Sequence, residues 1–217
     1  CMKEEKLYPI VENFARQHFD CFASKIRTGL RGFGKVDVSC ARRIVRDLSQ
    51  TNELISIEVK PSTQNYCKII GQALGYSVFS HRCYLAVLFK RNESFSRDQR
   101  IIANKLGVGL VEIHKGAERS SCKEVLTSSY FLPQEDMLHM FLQRMDLVEC
   151  VICRRWFDPT RYTQKLDKAI TRKLPFVYWL WDLDKAVRDE RAYVYHRRHV
   201  CRDCIQLLGR PTRSDSS

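Results

Sequence analysis

Leu54-Ile55-Ser56-Ile57-Glu58-Val59-Lys60 alternates strictly between apolar and polar side chains, the period of a β-strand with one buried face. Ile55, Ile57 and Val59 therefore share one side, and Ser56, Glu58 and Lys60 the other. Pro61 follows directly and stops the strand, because it has no N–H to give a neighbouring strand. Upstream, Gly34-Lys35-Val36-Asp37-Val38 sets one acidic side chain between valines at the start of the preceding strand. With a turn centred near Gln50, antiparallel pairing carries the Asp37 end of that strand to the Glu58–Lys60 end of the next. Two carboxylates and an ammonium then reach one point.

The flanking sequence extends this hairpin into a mixed sheet. Leu7, Ile10, Val11, Phe14 and His18 recur at helical spacing and predict a first helix over 3–19. Strands are expected over 21–30, 35–46 and 53–60, punctuated by Arg31-Gly32-Phe33-Gly34 and by the polar stretch 47–52. Thr63 can cap a helix running to about Phe79, with Ile69, Ile70, Ala73 and Leu74 on its buried side. A strand over 82–90, a helix opened by Ser94 or Ser96 and closed by Gly107, a strand over 108–114, and a helix from about Pro133 complete the order α-β-β-β-α-β-α-β-α. Strands mixed with crossover helices indicate an α/β sheet of mixed direction.

Carboxylates placed like Asp37 and Glu58 suit Mg²⁺, a hard cation that takes oxygen ligands and completes its shell with water and phosphate. A lysine beside such a cation can orient the attacking water, or deprotonate it if its surroundings lower its pKa. Lys68, Gln72 and Tyr76 lie four apart and share one polar face of the helix that starts just after Lys60. That face is expected either to be a plain solvated surface or to border the same cleft.

Taken together, Asp37, the Glu58-Val59-Lys60 triplet, Gln72-Ala73-Leu74-Gly75-Tyr76 and the αβββαβ order resemble the PD-(D/E)xK, or restriction-endonuclease-like, nuclease superfamily over roughly residues 3–115. The resemblance implies Mg²⁺- or Mn²⁺-dependent phosphodiester hydrolysis, with Asp37, Glu58 and the Val59 carbonyl around the metal and Lys60 at the water. It further implies that Gln72 helps to set the site and that Tyr76 contacts substrate or supports the helix. Some members add a glutamate from the first helix, for which Glu12 is the better placed candidate and Glu5 the weaker. Val36 stands where the motif's proline would be. Many nucleases of this fold act as dimers, so a homodimer is compatible with the resemblance.

Composition changes near Glu149, dividing an expected nuclease-like domain over 1–149 from a module over 150–208 and a Ser-, Arg- and Pro-rich tail over 209–217. Cys150-Val151-Ile152-Cys153 and Cys201-Arg202-Asp203-Cys204 are two C-x-x-C knuckles. Four thiolates close a tetrahedral Zn²⁺ shell and leave no open position, so the expected zinc is structural. Between the knuckles, arginines including Arg154, Arg155, Arg197 and Arg198 alternate with Trp and Tyr residues. Such interleaving suits nucleic acid, while the aromatics equally suit the core of a small zinc-stapled module.

With 37 Lys and Arg against 25 Asp and Glu, the net charge is +12, which favours a polyanionic partner. The last 68 residues hold 15 of those basic side chains against 8 acidic ones. The apolar runs 84–89 and 175–181 fall far short of the roughly 20 residues of a membrane span, and no basic start followed by an apolar stretch and a small-residue cleavage site marks secretion. These features lead to an expectation of a cytoplasmic protein, nucleoid association included, that acts on nucleic acid, DNA ahead of RNA. Two rivals stand beside the nuclease: a non-catalytic nucleic-acid binder of the same fold, and a zinc-module adaptor for other proteins.

Overall fold

The computed structural model describes residues 3–46, 49–116, 120–150 and 153–158. The chain divides between Met145 and Asp146 into two compact units. The first begins with a 3-10 turn, Glu4–Lys6, followed by α1 (Tyr8–His18). Three long strands come next, β1 (Cys21–Leu30), β2 (Gly34–Arg46) and β3 (Ser49–Lys60). Then follow α2 (Tyr66–Gly75), β4 (Arg82–Phe89), α3 (Arg97–Leu106), β5 (Gly109–Lys115), β6 (Ser120–Leu126) and α4 (Glu135–Arg144).

The strands form a six-stranded sheet in sequential order, β1 to β6. Antiparallel pairing joins β1–β2–β3, parallel pairing joins β3–β4–β5, and β6 returns antiparallel. The expected mixed α/β sheet is therefore what the chain forms. On one sheet face Leu7, Val11 and Ala15 of the first helical segment pack with Val38, Cys40, Ile55, Ile57 and Val59. On the other, Ile69, Ile70 and Ala73 of α2 and Ala103 of α3 pack with Leu85, Val87 and Leu110. Burial on both faces explains why β4 reads Tyr-Leu-Ala-Val-Leu-Phe without alternation.

Four details depart from the sequence reading. Arg46 pairs with Ser49, so β3 begins four residues earlier than expected and the pairing is centred midway between those two residues rather than near Gln50. A turn at Gln50 would have carried Asp37 past the end of the strand. The observed register pairs Val38 with Ile57 and brings Asp37 level with Glu58. The first helix is split at Leu7, just ahead of Pro9 at N2 of α1, where a fixed φ and a missing N–H suit a helix start. The helix expected from Thr63 opens instead at Tyr66, after Asn65 in left-handed conformation, and ends at Gly75 with a 3-10 turn, Tyr76–Val78. Finally, β6 is an added edge strand that sequence patterning did not reveal.

In the second unit, β7 (Val148–Glu149) and β8 (Trp156–Phe157) pair antiparallel and enclose Cys150 and Cys153. Among the described residues, no helix is long and apolar enough to cross a membrane.

Candidate active site

Strand pairing makes the site. Residues opposite one another in an antiparallel pair point to the same face, so the register that sets Asp37 beside Glu58 also aims both carboxyl groups the same way. Lys60 lies two residues beyond Glu58 on that face. All three line one cleft of about 520 Å³. Asp37 is 7% exposed and Glu58 3%, an expensive arrangement for two acids unless each is well partnered.

The partners are present. Asp37 Oδ2 accepts the Val59 backbone N–H at 2.9 Å. Glu58 Oε1 lies 2.8 Å from Lys60 Nζ, and its other oxygen accepts a hydrogen bond from the Tyr76 hydroxyl. That hydroxyl also lies 3.4 Å from the Lys35 carbonyl. Lys60 Nζ reaches Glu4 Oε1 at 3.2 Å, and Glu4 Oε1 in turn accepts from the Tyr8 hydroxyl at 2.9 Å.

Charge crowding leaves its mark on the titrating groups. Burial, and then the adjacent Glu58 charge, push the Asp37 carboxyl up to about 6, against the lowering pull of the Val59 N–H, Lys60 and Tyr8. Burial alone would lower Lys60, but Glu58, Asp37 and Glu4 outweigh it and raise it above the ordinary lysine value. Lys60 is therefore held as an ammonium. The alternative in which it deprotonates water requires a lowered pKa and does not fit this arrangement. Burial and the same carboxylates push the Tyr8 and Tyr76 hydroxyls upward, so both remain hydrogen-bond donors.

Helix α2 forms the opposite wall through Gly71, Gln72, Gly75 and Tyr76. Gln72 and Tyr76 thus share the cleft, whereas Lys68 is exposed and outside its lining. The glutamate anticipated from the first helix is not where the reading placed it. Glu12 accepts from Ser24 Oγ at 2.7 Å, about 6 Å along α1 from Tyr8 and outside the lining, and Glu5 pairs with Arg27 at 2.7 Å. Glu4 lines the cleft instead. Pro9, which separates Glu4's turn from the helix proper, is the sequence signal that could have found it. Tyr8, Arg27, Phe33 and Lys35 also line the cleft and were not singled out from the sequence as cleft residues.

Among the described residues, no group of three or more His, Cys, Asp or Glu side chains is arranged to hold a metal ion. Cys150 is buried, Cys153 is half-buried, and neither is in a disulfide. The Arg154 N–H donates to the Cys150 carbonyl at 2.9 Å, and the Cys150 N–H to the Arg155 carbonyl at 2.8 Å. Arg154 pairs with Glu149 at 3.2 Å, and Arg155 Nε lies 3.2 Å from Cys153 Sγ. Cys201, Cys204, Arg197 and Arg198 lie outside the described residues.

No family model and no curated protein matches the chain. Among solved structures, it is similar to a protein of unknown function from Silicibacter pomeroyi, at 16% identity and a TM-score of 0.43, over 67% of this chain and 85% of that one.

Proposed function

We propose that this chain is a metal-dependent nuclease of the PD-(D/E)xK kind, hydrolysing phosphodiester bonds of nucleic acid, DNA ahead of RNA. One observation carries the reading: Asp37, Glu58 and Lys60, 23 positions apart at their extremes, line a single cleft together with Gln72 and Tyr76. Asp37 and Glu58 would hold Mg²⁺ or Mn²⁺, with the Val59 carbonyl as the implied third donor. The fit rests on the donor chemistry. Burial, and after it the neighbouring Glu58 charge, raise Asp37, a cost that a cation between the two oxygen donors would relieve, and Mg²⁺ commonly takes only one or two carboxylates, leaving the rest to water and phosphate. When bound, the cation supplies charge stabilisation at the scissile phosphate.

The remaining roles belong to the chain. Lys60, fixed as an ammonium between Glu58 and Glu4, orients the attacking water and offers its positive charge to the phosphate oxygens. The oxygen of water adds to phosphorus and gives its proton to solvent, the P–O bond to the leaving sugar oxygen breaks with its electron pair, and that oxygen takes up a proton from solvent. Tyr76 holds Glu58 in place, and Gln72, exposed on the cleft wall, is free to meet substrate. Glu4 takes the place that the family resemblance assigned to Glu12. In the second unit, Cys150 and Cys153 would contribute half of a structural four-thiolate zinc site with Cys201 and Cys204, steadying a basic module that aids substrate binding.

The test is incubation of purified protein with Mg²⁺, Mn²⁺ or EDTA against single-stranded, duplex, branched and RNA substrates, beside Lys60→Ala. Metal-dependent product that is absent with Lys60→Ala is expected. Tight binding with no product in either cation would overturn the nuclease in favour of the non-catalytic binder.

A further inference from the structure

Building on that reading of the cleft, we propose that it takes nucleic acid as a single strand, with one base lifted from its neighbours and laid on Phe33. Phe33 stands at the tip of the β1–β2 hairpin between Gly32 and Gly34, whose φ angles of +90° and +77° suit glycine. Its N–H closes the turn onto the Leu30 carbonyl at 3.1 Å. Gly29 lets the two strands cross here, since a Cβ at that position would meet the Gly34 oxygen at 2.0 Å. The hairpin tip is thus narrow and defined. The Phe33 ring meets the buried Phe79 edge-on at 6.1 Å yet stays 46% exposed, on the wall of the cleft that holds Asp37, Glu58 and Lys60. A ring steadied from one side and open on the other is a stacking platform that any base can use.

Cations stand where the strand's phosphates would run. Arg27 and Lys35 line the same cleft and are both exposed. Arg27 adopts a φ of +55° inside β1, between Ile26 paired with Val38 and Thr28 paired with Val36, and so lies level with Asp37. A non-glycine residue held in that conformation within a strand is strained, and such strain gathers at functional positions. Its guanidinium pairs with Glu5, the two side chains being 51% and 66% exposed. Water screens a pair so open, and a phosphate can take the place of that carboxylate, which the guanidinium holds by one contact at 2.7 Å. On the facing wall, a Cβ at Gly71 or Gly75 would meet nothing within 4 Å, so the helix backbone lies open to a ligand.

Size points the same way. A cleft of about 520 Å³ belongs to the range of about 300–1,000 Å³ that encloses a small-molecule-sized ligand, which suits one nucleotide with its flanking phosphates. Within a continuous duplex each base face is covered by its neighbours and cannot meet Phe33 without being unstacked. The substrates selected are therefore single strands, flaps, overhangs and frayed ends.

The experiment uses oligonucleotides carrying the fluorescent base 2-aminopurine at successive positions, mixed in EDTA with the full chain as wild type, Phe33→Ala or Phe33→Trp. Wild type should brighten one position in a single strand, as that base leaves the neighbours that quench it, and Phe33→Trp, whose indole quenches by electron transfer, should darken the same position. Phe33→Ala should lose that position-specific change and bind single strands about 5- to 100-fold more weakly, with binding to a blunt duplex unchanged. Equal single-strand affinity for Phe33→Ala, or tighter wild-type binding to blunt duplex than to single strand, would overturn the proposal. Cleavage with Mg²⁺ is read separately. A Phe33-dependent change in emission without product upholds single-strand capture and overturns the nuclease reading; product with emission indifferent to Phe33→Ala overturns the stacking role alone.

Discussion

Asp37 Oδ2 accepts the Val59 backbone N–H at 2.9 Å, so the first carboxylate of the cleft is anchored by the residue that separates the other two charged groups. An asparagine could keep that acceptor while losing the charge. Asp37→Asn should therefore fold normally, lose cleavage by about 100-fold or more, and in EDTA at neutral pH melt a few degrees higher than wild type, because it removes one of two crowded negative charges. Thermal melts beside a cleavage assay check both halves, and a lower melting temperature would contradict the crowding.

The same residue sets a pH dependence. Its carboxyl titrates near 6 when folded against an ordinary value of 3.8, so the folded chain holds that proton more tightly than the unfolded chain. The stabilisation is full at low pH and is lost as pH rises from about 4 through 6. In EDTA, the melting temperature of wild type minus that of Asp37→Asn should fall across this window. Mg²⁺, which competes with the proton, should raise the wild-type melting temperature more at neutral pH than below pH 5.

Lys60 is bracketed by Glu58 at 2.8 Å and Glu4 at 3.2 Å. Removing it leaves half-buried and buried carboxylates facing one another, and Lys60→Ala should lose about 1–3 kcal/mol of stability as well as cleavage. Lys60→Arg restores the charge but not the compact ammonium; stability should return while cleavage stays low. Denaturant midpoints measured with single-turnover rates separate the two effects.

Tyr76 donates to Glu58 and touches Phe79 through its ring, so Tyr76→Phe removes one hydrogen bond and little packing. We expect metal affinity to weaken by about 10- to 100-fold, with substrate affinity in EDTA unchanged. Calorimetric Mg²⁺ or Mn²⁺ titrations measure the first and fluorescence anisotropy the second. A change in both would make Tyr76 a substrate contact rather than a support for Glu58.

Away from the cleft, Glu53 is fully buried between Arg42 and Arg82, with Arg82 Nε at 2.7 Å. Glu53→Ala strands two partly buried guanidinium groups and should cost about 3–5 kcal/mol, read from urea unfolding. Cleavage per folded molecule should not change, which distinguishes this charge cluster from the one in the cleft.

The alternation through Lys60 made β3 legible because one of its faces is core and the other carries the site. Asp37 was legible as the only acid among the valines of its strand. What escaped the sequence did so for definite physical reasons. The register depended on a turn within 47–52, a stretch with no glycine or proline to mark its centre. β6 reads Ser-Ser-Cys-Lys-Glu-Val-Leu and is nowhere fully buried, so this edge strand carries no apolar alternation to mark it. Glu4 was hidden because the helical periodicity continues past the break at Leu7, and Phe33 because an aromatic in a glycine-rich turn reads first as punctuation.

Every residue lining the cleft falls between Glu4 and Tyr76, ahead of the parallel strands β4 and β5. The contacts that join these residues reach across as many as 56 positions, from Glu4 to Lys60, yet all of them close within the segment that precedes β4. The cleft is thus written into one contiguous stretch and buttressed by the rest. A backbone cut at the exposed turn Arg91–Glu93 leaves that stretch whole, and the cleft should survive it.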